Sequence, residues 1–443
     1  MSKLLIRQAA IVNEGCTTVA DVLIEQGRIA RIAPSIQIQE KVTEINAAGL
    51  HLLPGVIDDQ VHFREPGLTH KASIATESRA AVAGGVTSFM EMPNTVPGTL
   101  TQELLEEKYA IAAQTSLANY SFFMGVANDN VEEVLKTNHK KAEVCGVKIF
   151  MGSSTGNMLV DNYNTLNKIF SESELLIATH CEDERVIAAN KLKYPHPTDA
   201  SFHPLIRDEE ACFESSFSAV QLAKQTGARL HILHITTARE LQLFGNMLPL
   251  AEKQITAEVC VHHLHFTSDD YARLGNLIKC NPAIKAPFNR EALWEALLDD
   301  RLDIIATDHA PHTWEEKQQP YPQAPAGLPL VQHPLLLMLH YYREGRITME
   351  KIVEKMSHAP AVCFQIKERG FIREGYHADM VLVDLGGNTS VTKESLYYKC
   401  GWSPLEGMML PARITHTLVN GRVVYEGGKI IEQPAAQRLL FNR

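Results

Sequence analysis

Four side chains suited to binding a metal stand at the C-terminal ends of separate apolar runs. His62 is the last residue but one of LLPGVIDDQVHF, His180 ends LLIATH, His234 lies in RLHILHIT and Asp308 in DIIATDH. Imidazole and carboxylate together suit zinc and similar divalent ions. A catalytic site of that kind leaves one position open, so that a bound water can ionise near neutral pH. Asp308 can both ligate and move protons. Lys148, in VCGVKIFM, stands at the same kind of position. A protonated lysine beside a dication is repulsive, so taken alone it reads as a barrel-rim lysine. Arg64, Asn94 (in EMPNT), Asn281 (in KCNPAIKAP) and His312 are candidate substrate contacts. Arginine pairs bidentately with carboxylate, which suits an anionic ligand.

Such residues need a frame. The runs at 52–63, 86–92, 120–126, 144–151, 175–180, 229–236, 255–261 and 303–309 read as strands, most of them separated by helical patterns. One helix is expected over 73–83, stopped by Gly84-Gly85. Eight strands with intervening helices make a (β/α)8 barrel, and barrel enzymes carry their chemistry at the C-terminal mouth. Both chain ends are strand-rich, with a hairpin signal at Asn420-Gly421. The expected division is therefore a catalytic barrel over 53–364 and a small β-sandwich built from 1–52 with 365–443. The stretch 311–329 reads as a mouth loop and candidate lid, and 194–204 as a second mouth loop or a surface excursion. Two histidine groups are set aside. The His262-His263-Leu264-His265 run, read as strand, cannot converge on one point, and His231 is expected on the face opposite His234.

Composition narrows the class. The 443 residues are 45% hydrophobic and 21% charged, which excludes wholesale disorder. The 42 basic and 52 acidic residues give a net charge of −10, which argues against a nucleic-acid coat or an anionic-membrane binder. Eight scattered cysteines with no CxxC pair, no signal-peptide pattern and no membrane-length apolar run point to a cytoplasmic protein.

With these residues in place the chain resembles the dihydroorotases of the amidohydrolase superfamily over essentially its full length. The carriers, in family order, are GVIDDQVHFREPG, EMPNT, GVKIFMGSSTG, THCEDE, LHITT, CNPAIK and ATDHAPHT. HFREPG followed by MPN is the specific part, since related hydantoinases and dihydropyrimidinases lack this arginine. The resemblance implies reversible closure of N-carbamoyl-L-aspartate to L-dihydroorotate in pyrimidine synthesis. It places His62, His180, His234 and Asp308 on metal ligands and Lys148 on a bridging ligand that is often N-carboxylated. It places Arg64, Asn94, Asn281 and His312 on substrate contacts. The implied mechanism is attack by metal-bound hydroxide on the ring amide, with Asp308 as acid/base. The family pattern Asp-x-His-x-His is broken, because Gln60 stands where the first histidine belongs. One firmly held zinc and a second weak, absent or altered metal are therefore expected. A small-molecule substrate is implied, and a homodimer is in keeping with the fold. The alternatives are another cyclic amidohydrolase, of allantoinase or hydantoinase type, and a non-catalytic dihydroorotase-like partner of aspartate transcarbamoylase.

Overall fold

The computed structural model describes residues 3–152 and 158–443. All eight expected runs contain strands: β1 (Val56–Val61), β2 (Val86–Glu91), β3 (Asn119–Phe122, resumed at Met124–Gly125), β4 (Val147–Phe150), β5 (Ile177–His180), β6 (Leu230–Ile232), β7 (Ile255–Cys260) and β8 (Ile304–Ala306). Sequential neighbours pair in parallel. A bridge between Val61 and His309 closes the ring, with the His62 amide donating to the His309 carbonyl at 2.7 Å. These runs are nearly continuous in apolar residues because parallel strands are covered on both faces.

The helix after β1 spans Ile74–Ala83. Ser73 caps it by accepting from the Thr76 amide, and the chain turns away at Gly85 with φ 80°. Beneath the barrel, Ala361 and Phe364 pack against the interior residues Ile57, Met90, Leu176, Ala178 and Ile304. That apolar plug closes the N-terminal end, so access is from the other mouth.

The chain ends meet in one nine-stranded sheet, joined where His51–Pro54 pairs antiparallel with Met380–Asp384. Leu4, Ile6, Val22, Leu52, Met380 and Leu418 form its separate core. The expected hairpin joins Arg413–Val419 to Arg422–Glu426, with φ of 47° at Asn420 and 73° at Gly421, as a tight primed turn requires. The C-terminal half also returns to the barrel. The Trp402 indole donates to the His312 carbonyl at 2.8 Å, and the Leu439 amide to the Tyr120 carbonyl at 2.9 Å. Among the described residues no helix is long and apolar enough to cross a membrane.

Candidate active site and metal centre

At the C-terminal mouth, Gln60, His62, Arg64, Lys148, His180, His234, Asn281 and Asp308 line one cavity. Strand ends deliver most of them, and backbone geometry re-aims three. Arg64, His234 and Asp308 adopt positive φ of 69°, 42° and 48°. Non-glycine residues pay about 1–3 kcal/mol each for such conformations, which collect where a site over-determines the backbone. The pairing of β1 with β2 is irregular between Asp58 and Val61. An irregularity of that kind redirects side chains near active sites, and here it lets Asp59 and Gln60 both reach the barrel interior.

The hydrogen bonds fix the state of each histidine. His62 Nδ1 lies 2.7 Å from Asn94 Oδ1, an atom that only accepts, so Nδ1 carries the proton. Burial lowers the His62 pKa and holds the ring neutral. Its Nε2 electron pair then faces Asp308 Oδ1 at 3.1 Å. Gln60 Nε2 donates to the same oxygen at 3.2 Å. On the opposite wall His180 Nε2–H donates to Glu182 Oε2 at 3.1 Å, which leaves Nδ1 facing His234 Nε2 at 3.0 Å. His234 Nδ1 is buried without a partner. Burial pushes both rings down, with Glu182 opposing the shift at His180.

Lys148 lies fully buried between these walls, its Nζ 4.6 Å from the centre of the Phe150 ring. Burial lowers its pKa to about 7. A neutral amine is the form that can add carbon dioxide, and carboxylation turns the side chain into an anion. The donor set therefore fits a metal: lone pairs of His62, His180 and His234 turned inward, one carboxylate, and a lysine poised to become a second. His62 and His180 each pass the outer ring proton to a neighbour, as metal-ligating histidines do.

Two expected substrate contacts stand behind the cavity wall rather than on it. Asn94 holds His62. His312 accepts from Lys71 Nζ at 3.0 Å and donates to the Ala326 carbonyl at 3.0 Å, beside Arg64 Nη2 at 3.2 Å. Arg64 spends Nε–H on the Pro311 carbonyl, which leaves its terminal N–H groups. Asn281 Oδ1 is taken by His203 Nε2 at 2.9 Å, which leaves its amide N–H groups. The 311–329 loop contributes Gly327 to the wall. It is tied down by buried Lys317, whose Nζ donates to the carbonyls of Lys279, Pro325 and Gly327. The 153–156 end of the GVKIFMGSSTG motif lies outside the described residues.

Sequence reasoning missed Glu182, which accepts a hydrogen bond from His180 and forms an ion pair with Arg207. Against burial, Arg207 and His180 hold its carboxyl down to about 2. Its signal was available: a carboxylate two residues past a strand-end histidine. The other histidines lie differently from the sequence expectation. His262, His263 and His265 lie on a short helix, Val261–His265, not on a strand. Cys260, His262 and His263 present ligand atoms within 4.8 Å of one another. His231 does not face away from the interior. β6 ends at Ile232, and the positive φ at His234 breaks the alternation. His231 meets Asp59 and Glu258 inside the barrel.

A ring of parallel strands with a mouth lined by histidines, a lysine and an aspartate is a hydrolase architecture, and the chain belongs to the amidohydrolase family, whose model matches residues 51–424. It is 33% identical over 417 residues to the dihydroorotase of Halobacterium salinarum, covering 93% of this chain and 94% of that one. It is 31% identical over 449 residues to an allantoinase of Solibacter usitatus, covering 99% and 97%. The L-hydantoinase (dihydropyrimidinase) of Arthrobacter aurescens superposes with a TM-score of 0.93 at 27% identity, over 99% of this chain and all of that one.

Proposed function

We propose that this hydrolase interconverts L-dihydroorotate and N-carbamoyl-L-aspartate. The observation that carries the reading is Arg64, a buried guanidinium on the wall of the same cavity as Lys148, His180, His234 and Asp308. Dihydroorotate carries a carboxylate for it, whereas unsubstituted hydantoin carries none. The dihydroorotase relatives support this choice, and the allantoinase relative, nearly as similar, keeps a neutral ureide substrate as the second reading.

Lys148, N-carboxylated, His180 and His234 would hold zinc, with His62 and Asp308 around a second position. Zinc bound there supplies a water ionised near neutral pH and polarises the scissile carbonyl. The chain's own residues do the rest. Arg64 and the Asn281 amide orient the substrate. Asp308 takes a proton from the attacking water at Oδ2 and returns it to the ring nitrogen as the amide opens. The Gln60 amide donates to its other oxygen, Oδ1, and so fixes the carboxylate plane. Gln60 offers the second position an amide in place of an imidazole, so that position binds metal weakly. The test is turnover by purified, zinc-supplemented protein of L-dihydroorotate beside hydantoin and allantoin. Preference for dihydroorotate supports the assignment, and preference for either neutral ring replaces it.

A further inference from the structure

Beneath the mouth site, Asp59 of β1, His231 of β6 and Glu258 of β7 meet inside the barrel, each with no exposed surface. We propose that these three residues form a separate site for a divalent first-row transition metal, distinct from the set at Lys148, His180 and His234.

His231 Nδ1 lies 2.8 Å from Thr256 Oγ1, and the Thr256 hydroxyl is in donating range of the Leu230 carbonyl at 3.3 Å. The ring presents Nδ1–H to Thr256 or accepts from its hydroxyl, and in either arrangement Nε2 is the atom that faces the two carboxylates. Nε2 lies 3.3 Å from Asp59 Oδ2 and 3.2 Å from Glu258 Oε2. A neutral ring satisfies one of the two carboxylates at most, through Nε2–H, so positive charge is called for at that point. A single proton leaves one carboxylate charge uncompensated. Among the described residues no lysine or arginine pairs with either acid, and both Asp59 oxygens are buried without a hydrogen bond. Burying an unpaired charge is costly, and a dication removes the excess.

The spacing also fits. Nitrogen and oxygen ligands about 2.0–2.1 Å from a tetrahedral zinc stand roughly 3.3–3.4 Å apart, which matches the two separations at His231 Nε2. The second Asp59 oxygen offers a further donor. Imidazole with two carboxylates suits zinc and its first-row neighbours, and with Nε2 on the metal the Nδ1–H presented to Thr256 is the second hydrogen bond such a ligand needs. The cluster is coupled to the mouth, because Glu258 Oε1 accepts the His234 amide at 3.1 Å. A cation held here therefore fixes the backbone that presents His234.

The test uses the full chain purified with zinc chloride. Diffraction at the zinc absorption edge is expected to show an anomalous peak between Asp59, His231 and Glu258. The Lys148→Ala/His180→Ala/His234→Ala variant is expected to keep that zinc, and Asp59→Asn, nearly isosteric, to lose one equivalent per chain. Absence of the peak, with equal zinc content in Asp59→Asn and the parent, would show that the cluster holds only a proton and overturn the proposal. Should Asp59→Asn fail to fold by circular dichroism, the anomalous peak alone decides.

Discussion

Replacing Arg64 by methionine separates substrate recognition from the rest of the chemistry. Arg64 is 1% exposed, and burial lowers its pKa only to about 10, so it remains charged at pH 8. One N–H goes to the Pro311 carbonyl, and the terminal groups remain to meet a substrate carboxylate. Hydrogen bonds to charged groups contribute about 1.5–3 kcal/mol each. Losing about 3 kcal/mol of a bidentate contact lowers kcat/KM roughly 150-fold. Methionine keeps much of the stem volume and removes a buried charge, so the fold survives, as circular dichroism and thermal melting will verify. The assay is kcat/KM for L-dihydroorotate and for hydantoin, with parent and Arg64→Met protein. The loss should fall on dihydroorotate and spare hydantoin, which has no carboxylate. Equal losses on both rings would refute the reasoning, since Arg64 would then serve the cavity's structure rather than the ligand's charge.

Asp308→Asn removes the only proton carrier assigned to the reaction, and kcat should fall by roughly 10²–10⁴ while the variant still folds. Gln60→His should raise zinc content by up to one equivalent per chain over the parent, read by elemental analysis. Reconstitution of metal-free protein with zinc at a fixed concentration of dissolved carbon dioxide should follow the neutral form of Lys148. Because burial lowers that amine to about 7, the rate rises as pH climbs through 7 and levels above about 8. An ordinary lysine would keep it rising to beyond pH 10. Lys317→Met strands two carbonyls of the mouth loop, Pro325 and Gly327, and that of Lys279. It should cost about 1–3 kcal/mol, read as a lower thermal midpoint.

The barrel was legible because its strands are apolar on both faces, so each run stood out and ended in a polar residue at the mouth. The helix start at Ser73 and the turn at Asn420-Gly421 were legible for local reasons, a capping side chain and two left-handed residues in sequence. Side-chain direction was not legible at chain breaks in the strands. Alternation predicted the wrong relation between His231 and His234, because the strand stops at Ile232 and His234 turns left-handed. The same rule failed at His262 and His263, where β7 passes into a helix after Cys260. Asp59 reaches the interior only through the irregular pairing near Asp58. Glu182 was missed because its role lies in Arg207, a neighbour distant in sequence.

The central claim is a metal-dependent hydrolase of dihydroorotate centred on Lys148. The direct measurement is ring opening of L-dihydroorotate, followed by ultraviolet absorbance, with zinc-supplemented parent protein beside Lys148→Ala. The account predicts turnover in the parent and none in the variant, together with loss of the zinc held at the mouth. Turnover that survives in Lys148→Ala, or a folded, zinc-loaded parent that leaves dihydroorotate intact, would contradict it.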